Sequence, residues 1–341
     1  IEWDQWEDEI RMHKKSAVAH YTKLLQSEID FWKFCQYKFY SQWKKLKKYA
    51  NKKDIKIIGD IPLYMALDSA DVWAHGELFE LDERKKPIHV AGVPPDCFSE
   101  DGQLWGNPIY NWKKMEHTGF AWWYQRMRSN ANLYDVIRID HFIGIVNYWS
   151  IPADSQTAIN GKWKKGPGKK LTKVIKKATK GASIIAEDLG VVGDNVRALI
   201  QKTGWPGMKI LLFAFDDENG ANEYLPHNYA SENCIVYGGT HDNDTIVGYY
   251  KEKSDEEIKF VKQYLGISKK EDLPRAMIRC GYASIAKTAV FQMQDILALD
   301  NSARMNCPST VGTNWKWRML PNQFTADHIR FLKKMCRLYN R

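Results

Sequence analysis

Two periodicities divide this chain. Short apolar runs, several of them rich in β-branched residues, centre near positions 57, 137, 185, 211, 236 and 292. Runs of this length and composition predict buried strands. Between most of them, apolar residues recur at spacings of three and four, the pattern of a helix with one buried face. Helices are expected over about 17–53, 112–131, 194–202, 255–265, 273–289 and 326–338, with a further Lys-rich helix before the run at 185. In the first, Trp32, Cys35, Phe39, Trp43, Leu46 and Ala50 form one stripe, expected to pack into the core.

Polar residues gather where the apolar runs end. Asp60 follows Ile55-Lys-Ile-Ile58, with Pro62 unable to continue a ladder. Arg138 and Asp140 close the run at 137, Glu187 and Asp188 the run at 185, Asp216 and Asp217 the run at 211, and His241 and Asp242 follow the run at 236. Strands alternating with helices, with polar residues after nearly every strand, predict an α/β fold of the (β/α)8 TIM-barrel type, in which chemistry sits on the loops after the strands. A doubly wound open sheet would collect such residues at one switch point.

Six strands leave the barrel two short, and the chain opens on Ile1-Glu2-Trp3-Asp4 with no initiator Met. The expectation is one catalytic domain over 1–341, whose first two βα units lie upstream of Ile1. Residues 68–111 and 152–170 lose periodicity and are expected to be inserts. The first, with Trp73 and Trp105 in its sequence, is expected to fold as an excursion or lid over a site. Gly161-Lys-Trp-Lys-Lys-Gly166-Pro167 is not a phosphate loop, because Pro167 stands where Lys-Ser/Thr is required.

Composition narrows the picture. Aromatic residues make up 13% of the 341 residues, with 14 Trp and 17 Tyr, and flat amphipathic rings stack well on sugars or bases. The net charge of +9 comes mostly from Lys scattered along expected helices, which reads as a solvated surface rather than a nucleic-acid face. Six Cys at 35, 97, 234, 280, 307 and 336 contain no C-x-x-C pair. That excludes a zinc ribbon or redox motif and fits a reducing cytosol. No apolar run reaches membrane-span length, and no secretory segment opens the chain.

Three carboxylates at successive strand ends, Asp140, Glu187 and Asp242, carry the candidate chemistry. Alternation puts Arg138 and Asp140 on one face of their strand, so the guanidinium favours an ionised carboxylate there. Glu187 follows an apolar run and is the better candidate for a raised pKa. No metal motif accompanies them. Carboxylates with abundant aromatics and no metal point to glycoside chemistry, in which one carboxyl acts as nucleophile and another as acid/base.

The segments Gly59-Asp-Ile-Pro62, Asp68-Ser-Ala-Asp-Val-Trp73, Ala91-Gly-Val-Pro-Pro-Asp96 and Gly102-Gln-Leu-Trp-Gly-Asn-Pro108 occur in the order found in one known family. Arg138-Ile-Asp-His-Phe142, Tyr148-Trp-Ser-Ile-Pro-Ala153, Ala186-Glu-Asp-Leu-Gly190, Gly239-Thr-His-Asp-Asn-Asp-Thr245 and Arg304-Met-Asn306 continue that order. On these segments the chain resembles the amylomaltases, the 4-α-glucanotransferases of glycoside hydrolase family 77. The resemblance implies an enzyme without cofactor that moves α-1,4-glucan segments between maltooligosaccharides. It implies Asp140 as nucleophile, Glu187 as general acid/base and Asp242 as the third carboxylate, which holds sugar hydroxyls. It further implies that Arg138, His241 and Asp60 bind sugar at the cleavage site. Trp105 would lie in a lid loop with Asp96 at its start, and Phe213 and Asp217 on the acceptor side. Ile143, Ser309 and Cys97 depart from the family pattern, which usually has Arg, Gly and often Tyr at those places. A hydrolase of the same clan and a silent glucan-binding protein are the alternatives.

Overall fold

A computed structural model describes residues 1–95, 99–190, 192–215, 220–251, 253–308 and 310–341. They divide into two compact units, Ile1–Trp205 and Pro206–Arg341.

The first unit holds seven strands: β1 (Ile58–Ile61), β2 (His89–Val93), β3 (Gln103–Pro108), β4 (Val136–Ile139), β5 (Asn147–Pro152), β6 (Lys162–Lys165) and β7 (Ser183–Ala186). Three of them form a parallel sheet in the order β1-β4-β7. A central parallel strand is covered on both faces and needs apolar residues without alternation. Ile137 and Ile139 are fully buried, and Ile184, Ile185 and Ala186 nearly so. The helices Ala121–Leu133 and Lys169–Ala178 cover this sheet with Trp123, Met127, Leu171 and Ile175, all in one core with Ile137, Ile139 and Ile184.

The two stretches expected to be irregular inserts supply three of the other four strands, β2, β3 and β6, and β5 runs up to the start of the second insert. They pair antiparallel in the order β3-β2-β5-β6, so residues from 89–108 and 147–165 build one sheet. Gly92 is required there, since a Cβ would stand 2.1 Å from the Gln103 carbonyl oxygen of the neighbouring strand. Alternation in β2 and β5 is masked by Gly, Pro and Trp. Pairing with distant strands, not local pattern, makes these segments extended.

The second unit contains β8 (Gly207–Ile210), β9 (Cys234–Tyr237) and β10 (Thr288–Val290), parallel in the order β8-β9-β10. All four residues of central β9 are buried. All six parallel strands read from the sequence are therefore present, with two boundaries corrected. The run expected as a strand near 211 leaves the extended conformation after Ile210, and Leu211–Ala214 forms a 3-10 turn whose Leu212 N–H donates to Gly238 O at 3.1 Å. A run apolar on every side satisfies a buried turn as well as a buried strand. The last strand lies at Thr288–Val290, inside the end of the helix expected over 273–289, which stops at Ala283; of the run expected as a strand at 290–293 only Val290 is in it, and Met293–Ile296 is helical.

The first long helix needs a larger correction. It splits at Leu25 into Lys15–Leu24 and Gln26–Asn51, and the second piece buries none of its residues. Trp32 and Phe39, expected in the core, are 62% and 56% exposed. Only the C-terminal half is tied down: Trp43 Nε1 donates to Leu133 O at 2.9 Å, and Asn51 Nδ2 to Asp135 Oδ2 at 2.9 Å. Helical spacing defines an apolar face, but burial also needs an opposing surface; the hydrogen bonds from this helix to the end of Ala121–Leu133 come from Trp43 and Lys47 in its C-terminal half.

Candidate active site

The site in the first unit is built by register. Parallel pairing sets Asp60 beside Arg138 and Arg138 beside Ile185. The two-residue period then brings Asp140 to the same face as Arg138, as the sequence pattern requires. One guanidinium nitrogen, Arg138 Nη1, lies 2.7 Å from Asp60 Oδ2 and 2.9 Å from Asp140 Oδ1. Burial works against the charge of Arg138, but Asp60, Asp140 and Glu187 outweigh it and push its pKa above the ordinary value. Arg138 is thus a fixed cation tying two carboxylates together. Asp60, at the end of β1, reaches the site through this ion pair.

Glu187 follows directly on β7 and is 7% exposed. Its Oε2 accepts the main-chain N–H of His141 at 2.6 Å and its Oε1 that of Leu189 at 2.8 Å. Burial raises its pKa, and the Asp140 charge adds to the rise. Arg138 and the two N–H donors hold it back, and the balance is about 7. A carboxyl so placed can keep its proton near neutrality and still release it.

His141 is a site residue the sequence reading did not single out. Its φ of 49° is left-handed, a conformation uncommon for a residue with a side chain. That turn directs its N–H to Glu187. Its ring meets Trp105 edge-on at 4.8 Å, and Nε2 is buried without a partner among the described residues. Burial lowers the imidazole pKa to about 4 against the pull of Asp140, so the ring is neutral at pH 7. Trp105 sits on β3, half-buried, with Nε1 donating to Gln103 Oε1 at 3.0 Å. The excursion therefore carries an aromatic ring to the residue that bridges Asp140 and Glu187.

In the second unit, the turn after β9 carries His241 and Asp242, with His241 Nε2 3.2 Å from Asp242 Oδ2. Asn306 Nδ2 donates to Asp242 Oδ1 at 2.6 Å, and Arg304 Nη2 donates to Asp242 O at 2.6 Å. Trp315 lies 5.2 Å from the His241 ring. Asn306, Arg304 and Trp315 were not expected as site residues. Arg304 and Asn306 stood in a segment that matched the family, without a role, and the signal for Trp315 was a polar, Trp-containing loop after the last strand. Phe213 lies on the 3-10 turn after β8, edge-on to Tyr224 at 5.7 Å. Asp96 and Asp217 lie outside the described residues, as do Cys97 and Ser309. Ile143 is buried in the helical turn after Asp140, so an apolar side chain occupies that position. No group of three or more His, Cys, Asp or Glu with metal-binding geometry occurs among the described residues.

A protonatable, buried glutamic acid near an arginine-held aspartate, at the ends of adjacent parallel strands in an α/β fold, is the equipment of carboxylate-based glycoside chemistry. The family model described as 4-alpha-glucanotransferase, glycoside hydrolase family 77, matches residues 1–323. A 4-alpha-glucanotransferase of Clostridium butyricum is 47% identical over 343 residues, covering 100% of this chain and 70% of its own length. A chloroplastic 4-alpha-glucanotransferase of Arabidopsis thaliana is 42% identical over 344 residues, covering 99% of this chain and 59% of its own. The solved amylomaltase from Streptococcus agalactiae in complex with acarbose superposes with a TM-score of 0.96 at 43% identity, covering 100% of this chain and 69% of that one. The chain belongs to the 4-alpha-glucanotransferase family.

Proposed function

We propose that this chain transfers α-1,4-glucan segments from a donor maltooligosaccharide to an acceptor sugar, with retention, through a covalent glycosyl-enzyme intermediate. The observation that carries the reading is the Glu187 carboxyl, held near pKa 7 beside the Arg138-bound Asp140. Asp140 is the nucleophile: Arg138 fixes one of its oxygens, which orients the carboxylate for attack on the anomeric carbon. As that bond forms, the glycosidic C–O bond breaks and Glu187 gives its proton to the departing oxygen. A hydroxyl of the acceptor then attacks the anomeric carbon, Glu187 takes the proton back, and Asp140 is released. Arg138 cannot lose its proton, so it stabilises whichever carboxylate carries the charge: Asp140 before attack, and Glu187 once Asp140 is esterified.

Asp242 is the third carboxylate, holding sugar hydroxyls with His241, and Asp60 serves the same end through Arg138. Trp105 covers the glucan from the excursion sheet, where excluding water favours release by a sugar over release by water. Asp96 is assigned to the start of that lid loop, and Phe213 and Asp217 to the acceptor side. The fold that goes with this reading is a (β/α)8 barrel in one catalytic domain. In it β1 is the third strand and 68–111 and 152–170 are insertions. Cys35, Cys280, Cys307 and Cys336 are free thiols, which supports a reducing, cytoplasmic setting. Among the described residues no helix is long and apolar enough to cross a membrane.

Incubation with maltotriose tests the reading. Glucose together with oligomers longer than maltotriose is the expected outcome, with first products in the α-configuration by proton NMR. Only shorter products would make the chain a hydrolase, and binding without turnover would make it a glucan-binding protein.

A further inference from the structure

We infer that Asn306 is a positioning residue for Asp242, and that Arg304 fixes Asn306 in turn; the inference rests on the reading of Asp242 as the carboxylate that holds the sugar. A carboxylate on a turn can rotate about both side-chain torsions, and it grips a pair of hydroxyls only if its plane is set beforehand. The structure sets that plane from both sides. Asn306 Nδ2 holds Oδ1 at 2.6 Å, and His241 Nε2 lies 3.2 Å from Oδ2.

Asn306 itself has little freedom. Its main-chain N–H donates to His241 O at 3.0 Å, and its carbonyl accepts from Arg304 Nε at 2.9 Å. With both main-chain groups engaged, only the side-chain torsions remain, and the bond to Asp242 settles them. Arg304 uses all three nitrogens of its fork. Besides Nε, Nη1 pairs with Asp244 and Nη2 reaches Asp242 O at 2.6 Å. A planar guanidinium can span the turn at 242–244 and the loop at 304–306 in this way; a lysine ammonium cannot. Trp315, whose N–H donates to Met305 O at 2.7 Å, closes the loop over the His241 ring. The loop after the last strand is therefore a clamp on the strand-end turn, and Asn306 is the part that touches the carboxylate.

A loop that merely completes the fold and a clamp that orients Asp242 differ in their response to charge at position 306. Asn306→Ala removes a hydrogen bond to a charged group and should lower kcat for maltotriose transfer by about tenfold or more, with a smaller change in KM. In Asn306→Asp the introduced carboxyl can donate to Asp242 only while protonated. Its activity relative to wild type at the same pH should therefore rise as pH falls from 7.5 to 5, by about threefold or more. Taking the ratio removes the titration of Glu187, which both proteins share.

A crystal structure of Asn306→Ala should show the Asp242 carboxyl turned from its present plane. The inference is overturned if Asn306→Ala keeps half or more of wild-type kcat, if the Asn306→Asp ratio is flat with pH, or if Asp242 is unmoved in that crystal structure. Wild-type protein that fails to disproportionate maltotriose would sink the proposed function instead, and the Asp242 conformation in the variant would still decide the role of Asn306.

Discussion

Glu187→Gln separates the two consequences of burying an acid. In the folded protein the Glu187 carboxyl is raised from an ordinary 4.5 to about 7, first by burial and then by Asp140. In the unfolded chain it titrates near its ordinary value. Below pH 4.5 the group is protonated in both states and costs nothing. Between pH 4.5 and 7 the unfolded chain releases the proton and the folded protein keeps it, so stability falls as pH rises through this window. The full loss is about 3 kcal/mol, at about 1.4 kcal/mol for each tenfold change in proton affinity.

Glutamine has no charge to desolvate, but it offers one acceptor where Glu187 offers two, so one of the His141 and Leu189 N–H groups loses its partner at every pH. Measured from the difference at pH 4, the stability of Glu187→Gln relative to wild type should therefore rise by about 2 kcal/mol at pH 6 and about 3 kcal/mol at pH 8. The same variant should lose glucan transfer by about a hundredfold or more, because it has no proton to give. Urea denaturation of both proteins at pH 4, 6 and 8, followed by tryptophan fluorescence, gives the stabilities, and maltotriose disproportionation gives the activity. A stability difference between the two proteins that does not change with pH would mean that Glu187 is ionised in the fold, and the acid role would go with it.

Arg138→Leu leaves Asp60, Asp140 and Glu187 without their shared cation and should cost about 3–5 kcal/mol in urea denaturation. Since Arg138 lowers the Glu187 pKa, any residual activity should persist to higher pH than in wild type; a basic limb left in place would refute that coupling. Asp295 is 1% exposed, with one oxygen accepting the Ile246 N–H at 2.7 Å and the other unpartnered among the described residues. Burial raises its pKa from 3.8 to about 7. Asp295→Asn should therefore stabilise the protein at pH 8 by up to about 4 kcal/mol and leave it unchanged near pH 3.5, measured by the same denaturation series. Trp105→Ala removes an edge-on ring contact with His141 worth about 1 kcal/mol. It should shift products from longer oligomers toward new reducing ends about fivefold, and an unchanged product ratio would remove Trp105 from the exclusion of water.

Much of the frame was legible in one dimension. Val136–Ile139 and Ser183–Ala186 are short and apolar apart from Arg138 and Ser183, as strands covered on both faces are. The polar residues that follow them could be located by eye. Arg138 and Asp140 had to share a face because the strand period is two, and their ion pair follows. Glu187 had to be buried because the residues before it are. These are properties of a segment and its immediate neighbours.

What the tertiary structure decided concerns partners. Residues 68–111 and 152–170 read as irregular, yet β2, β3 and β6 within them join β5 in one antiparallel sheet, because each strand supplies the hydrogen bonds the others lack. The helix Gln26–Asn51 reads as core and is exposed along most of its apolar face, since a periodic stripe does not say whether a surface lies opposite it. His141 lends Glu187 its N–H only through a left-handed backbone, and Asn306 reaches Asp242 across 64 residues. No local pattern encodes such contacts. They exist because packing brings separate strand ends and loops to within 3 Å, where a hydrogen bond or a charge can act.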